Sequence, residues 1–336
     1  MFPEWTVVIG FYIGAAIGSF LNVVIYRLPK GMSLWQPPSH CPNCDHRLGI
    51  LDLFPLFSFL LSGQKCRYCK KPVSWRYFWV EIFTGAVWAG FWWQNLIAGE
   101  DPIRFFVLAI FGSLLIAAIF IDIAWYIIPD SINAWLLVIG LLYNGWLIYA
   151  SSPSAFTWGI PSAIAGALVG TIALWGVAFL GRLFFGKDAM GHGDIKLARG
   201  IGAVLFVAAA LLSFGLAIVI GAIIGGIQVL VRKTGSQSEE FQNEFEEEPE
   251  SIGSLLKCGL GYVLAIDAIG QLFPKLDKWW FGEEPQGEEN LEDEWQPTIT
   301  TIPFGPYLAL GALLAAYFEI PLLDLVDSYW KWATGS

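Results

Sequence analysis

The sequence predicts an all-α polytopic membrane protein, with about eight transmembrane helices and a small cysteine-bearing cytoplasmic domain between the first two. Three observations predict it. Of the 336 residues, 56% are apolar and 14% charged, whereas a soluble domain carries about a quarter charged residues. Apolar runs near 20 residues, long enough to cross a bilayer, recur along the chain. Two Cys-x-x-Cys pairs fall in a polar stretch between the first and second runs.

The elements follow in order. Residues 5–26 form the first run, which is too long for a signal-peptide core and passes directly into Arg27 without a small-residue cleavage site, so a retained span is expected. A second span is expected over 78–97, a third over 103–121 ending at Asp122, and a fourth over 131–149. The fifth covers 158–185, with its first residues outside the bilayer core. The stretch 195–231 is long enough for two spans, broken near 207–213 although no charge marks the break. The last span is expected over 306–326. Between 232 and 303 the pattern changes. There, 252–273 is apolar but carries Lys257 and Asp267, which favours a short packed or interfacial helix over a ninth span. The expected organisation is therefore a first helix (1–26), a cytoplasmic cysteine region (27–76), a membrane core (77–231), an acidic insert (232–303) and a last helix with the C-terminus (304–336).

Charge sets the expected orientation. The net charge is −10, but two Glu-rich runs, at 239–250 and 283–294, hold fourteen acids, and the rest of the chain is at +4. These runs are expected to be solvated, and the acidity gives no support to nucleic-acid binding. Lys and Arg concentrate in 27–76, around Asp194 and at Arg232–Lys233, whereas the turn near Gly99 and the loop 151–153 are poor in them. With eight spans and an outer N-terminus, the basic segments all face the cytoplasm. Asp122 and Asp194 then lie at the same membrane boundary.

The cysteines suggest a metal. Cys41-Pro42-Asn43-Cys44 and Cys66-Arg67-Tyr68-Cys69 each place two sulfurs on a tight turn, and this spacing suits structural, tetrahedral Zn²⁺ held by four thiolates. Two disulfides are the competing reading, disfavoured on a cytoplasmic face. His40 and His46 flank the first pair as possible substitute ligands. Cys258 reads as an ordinary buried thiol.

Two aspartates carry the expected chemistry. Asp194 lies in Gly191-His192-Gly193-Asp194 between apolar runs, and Asp122 closes another. Ionisable groups beside membrane helices are costly and usually have a task. Two nearby carboxylates share a proton, so one can activate water while the other polarises a carbonyl. Two solvated acids at helix ends are the bland alternative. Asp130 after Pro129 reads as a helix cap. Lys196 reads as an orienting or lipid-facing cation, and His192 as a loop residue. Gly221 and Gly225-Gly226 read as helix-packing positions.

In order, the chain carries Gly18-Ser19-Phe20-Leu21-Asn22-Val23-Val24-Ile25-Tyr26-Arg27-Leu28-Pro29, the two cysteine pairs, Arg76-Tyr77, Val80-Glu81, Asp122-x6-Pro129-Asp130, Met190 to Lys196 and Pro303-Phe304-Gly305-Pro306-Tyr307. Together these motifs resemble the type IV prepilin peptidases, GxGD-type membrane aspartic proteases of the bacterial inner membrane. Arg232 to Ile302 departs from that family's compact pattern. The resemblance implies catalysis by Asp122 and Asp194, facing the cytoplasm. It implies cleavage of the short basic leader of type IV prepilins or pseudopilins after Gly. N-methylation of the new N-terminus by S-adenosylmethionine would follow, with the cysteine region accompanying methylation. Membrane lipid and the pilus or type II secretion machinery are the implied surroundings. The residues that bind the methyl donor are not evident, although Glu81 and Asn22 suit that task as well as they suit buried hydrogen bonding. A proton-coupled transporter and a non-enzymatic zinc-bearing assembly factor are the alternatives. The first would need acids deep within spans and internal repeats.

A basic leader should be drawn to acidic runs by a field that salt screens. Deleting 239–250 should raise the apparent KM for a basic-leader peptide at low salt more than at high salt. Equal KM changes at both salt levels would show the run to be a passive tether.

Overall fold

Residues 2–186, 190–234, 251–282 and 303–318 are described in the computed structural model. The chain divides into two compact units, one of Met1–Pro129 with Ala316–Ser336 and the other of Asp130–Ala315.

The first unit is built on α1 (Val7–Arg27), α3 (Trp75–Trp92) and α4 (Pro102–Trp125), with the short α2 (Phe57–Leu61) in the cysteine region. Helices α1 and α3 pack closely because α1 offers glycine where α3 offers bulk. A Cβ at Gly14 would lie 2.5 Å from the Trp88 Cβ, and one at Gly18 would lie 2.8 Å from the Glu81 Cα. In hydrocarbon, association rests on such backbone proximity and dispersion rather than on the exclusion of water. The Trp88 indole donates to the Ser113 hydroxyl on α4 (2.9 Å), which satisfies its only polar atom. Ser74 caps α3 by accepting from the Arg76 amide, and Asp101 caps α4 likewise from Arg104. Beyond Trp92, α3 widens into a π-helical turn, Trp93–Ala98.

The second unit contains α5 (Asp130–Tyr149), a two-residue hairpin of β1 (Phe156–Thr157) and β2 (Ile160–Pro161), α6 (Ser162–Phe185) and α7 (His192–Thr234). Gly166 on α6 and Gly202 on α7 meet so closely that a Cβ on either would strike the other's carbonyl oxygen. Against α5, a Cβ at Gly200 would lie 2.6 Å from the Leu136 Cβ. Helix α7 is interrupted at Phe206, whose φ of 62° and ψ of −172° are not helical. The break expected near 207–213 thus falls one residue earlier, where the Phe206 ring stacks on Tyr143 with centroids 6.0 Å apart. A final helix, α11 (Gly305–Phe318), carries Gly311 against Ser213 and Ala217. Gly221 faces Tyr307, in agreement with a packing role, whereas no side chain or backbone lies within 4 Å of a Cβ built on Gly226.

Residues 252–273, expected as a short packed helix, form α8 (Ile252–Val263) and α9 (Ile266–Gly270), followed by α10 (Pro274–Phe281). They dock on α6 and α7. The Trp175 indole donates to the Leu255 carbonyl (3.1 Å), and the Arg199 guanidinium grips both Asp267 oxygens at 2.6 Å. Both members of this pair are buried. The Arg199–Asp267 pair thus fastens this apolar stretch to α7.

The all-α membrane class agrees with the expectation. Five helices among the described residues are long and apolar enough to cross a bilayer: Glu4–Arg27, Pro102–Trp125, Asp130–Tyr149, Ser162–Phe185 and His192–Ile227. The other expected spans are not among these five for identifiable reasons. Trp75–Trp92 is long but carries Arg76, Glu81 and four tryptophans, 195–231 lies within one interrupted helix, and α11 is described only to Phe318. Both acidic runs lie outside the described residues.

Gly202→Val should destabilise the second unit by about 1–3 kcal/mol, since overpacking a filled seam costs that much. A thermal melt in detergent, with Gly226→Val as the control at an open position, measures the difference.

Candidate functional site

The cysteine region is two copies of one local fold. In the first, the Cys41 amide donates to the His46 carbonyl (3.0 Å) and the Asp45 amide to the Cys41 carbonyl (2.9 Å). In the second, the Cys66 amide donates to Lys71 (2.9 Å) and Lys70 to the Cys66 carbonyl (2.9 Å). Asp45 and Lys70 occupy the same step, both left-handed at φ of 52° and 61°. A two-residue bridge closes each copy, His40 with Arg47 and Lys65 with Pro72. The copies bring the Cys41, Cys44, Cys66 and Cys69 sulfurs within 4.8 Å of one another, and all four are free thiols.

These sulfurs could hold a metal ion, and their geometry fits zinc. Tetrahedral Zn–S bonds of about 2.3 Å place sulfurs about 3.8 Å apart, and Cys41 Sγ lies 3.9 Å from Cys69 Sγ. Amides of Cys69 and Tyr68 directed at the Cys66 sulfur favour its thiolate and pull this thiol down to about 7. Cys44 also feels a favourable amide, that of His46. Desolvation and the neighbouring Cys41 and Cys69 outweigh it and push Cys44 up to about 11. Cys66 thus favours its thiolate while Cys44 resists, a charge problem that a divalent cation removes. His40 and His46 are not part of the four-sulfur cluster. The His46 ring instead lies over Tyr68 with centroids 3.6 Å apart. Asp52 ties the two copies to the chain between them, accepting from the Tyr68 hydroxyl (3.0 Å) and the Gly49 amide (3.1 Å).

Beside the cysteines is a cavity of about 670 Å³, lined by α1, α3 and the loop that contains α2. Its wall includes Asn22 and Glu81. The Asn22 amide group donates to the Tyr77 carbonyl (3.1 Å), and Glu81 accepts from the Leu56 amide (2.7 Å). That bond holds Leu56 at φ 61° and ψ −49°, a costly conformation for a branched residue. Arg27, buried at the end of α1, donates to the carbonyls of Ser33 (3.0 Å) and Pro37 (2.6 Å) and so anchors the chain leading to the first cysteine pair.

Asp122 lies in the last turn of α4 and is 5% exposed. Tyr126, left-handed at φ 56°, ends the helix by donating to the Asp122 carbonyl (2.8 Å). Asp194 lies in the first turn of α7 in the other unit and is half-buried, with its amide bonded to the Gly191 carbonyl (3.1 Å). A Cβ at Gly191 would sit 3.5 Å from the Asp194 carboxylate, an ordinary contact distance.

Around Asp194 the structure revises several expectations. Of the two roles expected for Lys196, the orienting one is seen, since its ammonium binds both oxygens of Asp130 (2.8 and 2.9 Å). Asp130 opens α5 and is that ion-pair partner, with a side chain still 43% exposed. His192 is not loop but the first residue of α7, and its Nδ1 lies 2.8 Å from the Tyr262 hydroxyl. Cys258 is half-buried rather than buried. Tyr262 and Asp267 were missed as neighbours of this motif. Asp267 was visible as an acid in an apolar run, but its partner lies 68 positions away.

Known proteins were then compared with the chain. Residues 109–226 match the type IV leader peptidase family, and residues 12–95 match the bacterial peptidase A24 N-terminal domain. A prepilin leader peptidase/N-methyltransferase from Myxococcus xanthus is 31% identical over 90% of this chain and 87% of its own length. The chain belongs to the type IV leader peptidase family. Two further relatives of the same name are 34% identical (Stutzerimonas stutzeri, 67% of this chain and 81% of the relative) and 36% identical (Klebsiella pneumoniae, 58% and 83%). No solved structure matches the chain significantly. In this leader peptidase family member, Asp122 and Asp194 both fall inside the stretch matched to the peptidase, and the four cysteines fall inside the N-terminal domain.

The full chain purified from zinc-supplemented cells should carry one zinc ion by elemental analysis, and Cys66→Ser should bring it below about a tenth of that. Unchanged zinc in Cys66→Ser would remove Cys66 from the metal site.

Proposed function

We propose that this membrane enzyme cleaves the basic leader from type IV prepilins or pseudopilins after Gly and then N-methylates the new N-terminus from S-adenosylmethionine. Asp122 and Asp194 carry the cleavage. The observation that bears most weight is placement. Within the peptidase-matched stretch 109–226, Asp122 is a buried acid in the last turn of one apolar helix, and Asp194 lies in the first turn of another, behind Gly191 and Gly193.

The chemistry balances without a metal in the cleavage step. One ionised aspartate takes a proton from water, and the oxygen attacks the Gly carbonyl carbon. The protonated aspartate gives its hydrogen to the carbonyl oxygen. As the tetrahedral diol collapses, one of its hydroxyl protons returns to the second aspartate, the C–N bond breaks and the leaving amine takes up the proton held by the first aspartate. Both acids face the cytoplasm, where the Lys and Arg excess lies. Zinc on the four cysteines is structural, since four thiolates leave no open coordination position. S-adenosylmethionine supplies the methyl group when bound, and the cysteine region serves that second step. The acidic runs concentrate basic leaders.

Asp122→Asn and Asp194→Asn should each lower prepilin cleavage at least about 1,000-fold while zinc content stays at wild type. Each variant should still methylate a peptide that already begins at the mature N-terminus. Full cleavage by either variant would overturn the pairing. Loss of methylation together with cleavage would point instead to general misfolding.

A further inference from the structure

We infer that the cavity beside the cysteines is the methyl-donor site, with Asn22, Arg76 and Glu81 as its polar contacts. This rests on the methyltransferase half of the proposed function and specifies where that half resides. The peptidase match begins at residue 109, so the chain before it is the part left for the second activity in the relatives' name. Within that part the cavity has about 670 Å³, inside the roughly 300–1,000 Å³ range of small-molecule sites.

Its wall asks for a ligand of particular chemistry. Asn22 Oδ1 is a buried acceptor with no hydrogen-bond partner, and Arg76 Nε is a buried donor with none. Unsatisfied buried polar atoms are costly and occur where a ligand completes them. Glu81, 7% exposed, adds a carboxylate already oriented by the Leu56 amide. A free acceptor, a free donor and a carboxyl group match a ligand that carries ammonium, carboxylate and a further positive centre. The remaining wall mixes aromatic side chains, including Tyr26, Phe54 and Phe57, with polar and basic ones such as Ser19, Lys65 and Lys71. Its aromatic part can take a flat heteroaromatic ring and a sulfonium cation. S-adenosylmethionine carries all of these groups. A lipid tail would fill the apolar wall but leave Asn22 and Arg76 unsatisfied.

The assignment places the roles. Arg76 binds the donor's carboxylate, Asn22 accepts from its ammonium or ring amine, and Glu81 faces the positive charge. The neutral N-terminal amine attacks the methyl carbon with its lone pair. The N–C bond forms as the C–S bond breaks, and the bonding pair returns to sulfur. The positive charge thereby moves from sulfur to nitrogen, leaving S-adenosylhomocysteine and a methylated ammonium. The proton that the starting ammonium sheds before attack goes to water. Cys41 and Cys66 line the same cavity, so metal loss should weaken donor binding too.

Direct binding tests this, using the zinc-loaded full chain in detergent and S-adenosylhomocysteine as a non-reacting probe. Calorimetry should give saturable binding for the wild type. Asn22→Ala, Arg76→Ala and Glu81→Gln should each weaken it at least about tenfold, with zinc content and prepilin cleavage unchanged. Ultraviolet cross-linking of radiolabelled S-adenosylmethionine to the unmodified wild type, mapped by mass spectrometry, reads the same contact without mutation. Adducts within 19–27, 51–59 or 72–81 support the site. An adduct elsewhere, or unchanged affinity in all three variants, overturns the cavity assignment and leaves the methyltransferase reading intact. Absence of both probe binding and methyl transfer in the wild type overturns that reading itself.

Discussion

Close backbone approach through glycine is the constraint on which both units depend. Lipid tails are as apolar as leucine, so helices in a membrane gain little from hiding apolar surface and must gain from contact. In the first unit, Gly14 and Gly18 let α1 lie against Trp88 and Glu81 of α3. In the second, Gly166 and Gly202 let α6 and α7 touch backbone to backbone. The Asn22–Glu81 wall lies at the end of one seam, and the Asp194 turn begins α7, which carries the other.

The acids sort by what holds them. Asp267 and Arg199 form a buried, two-pronged pair, and Asp130 and Lys196 form another that is partly exposed. Breaking a buried pair by removing one partner costs about 3–5 kcal/mol, because the survivor is left charged and alone. Such pairs fix geometry. The Arg199–Asp267 pair fastens α8 and α9 to α7, and Tyr262, on the docked α8, reaches His192 within the Asp194 motif. A segment that looked like a tolerated insert thus becomes part of the surroundings of a candidate catalytic acid.

The cysteine region shows a different economy. Two short knuckles of the same hydrogen-bond pattern converge four sulfurs, and Arg27 and Asp52 tie the intervening chain to them. A stretch this short buries too little apolar surface to order itself, so a metal-ligand cluster with its backbone bonds is the natural stabiliser. The strained Leu56, held by Glu81, shows that this region is anchored into the helices rather than suspended from them.

The sequence by itself determined the membrane class, because composition and run length are one-dimensional properties. It also determined the cysteine cluster, because each knuckle is local, and the family, because its motifs occur in order. The interruption of the seventh helix falls one residue from where the sequence put a break, although the Phe206–Tyr143 stacking there was not legible. Only the tertiary structure decided that Asp130 belongs to Lys196, that Asp267 belongs to Arg199 and that His192 meets Tyr262. Ion pairs and hydrogen bonds between residues some 66 to 70 positions apart leave no periodic trace in a chain. The cavity was likewise a property of three elements meeting, and its two unsatisfied polar atoms exist only once Asn22 and Arg76 have been buried together.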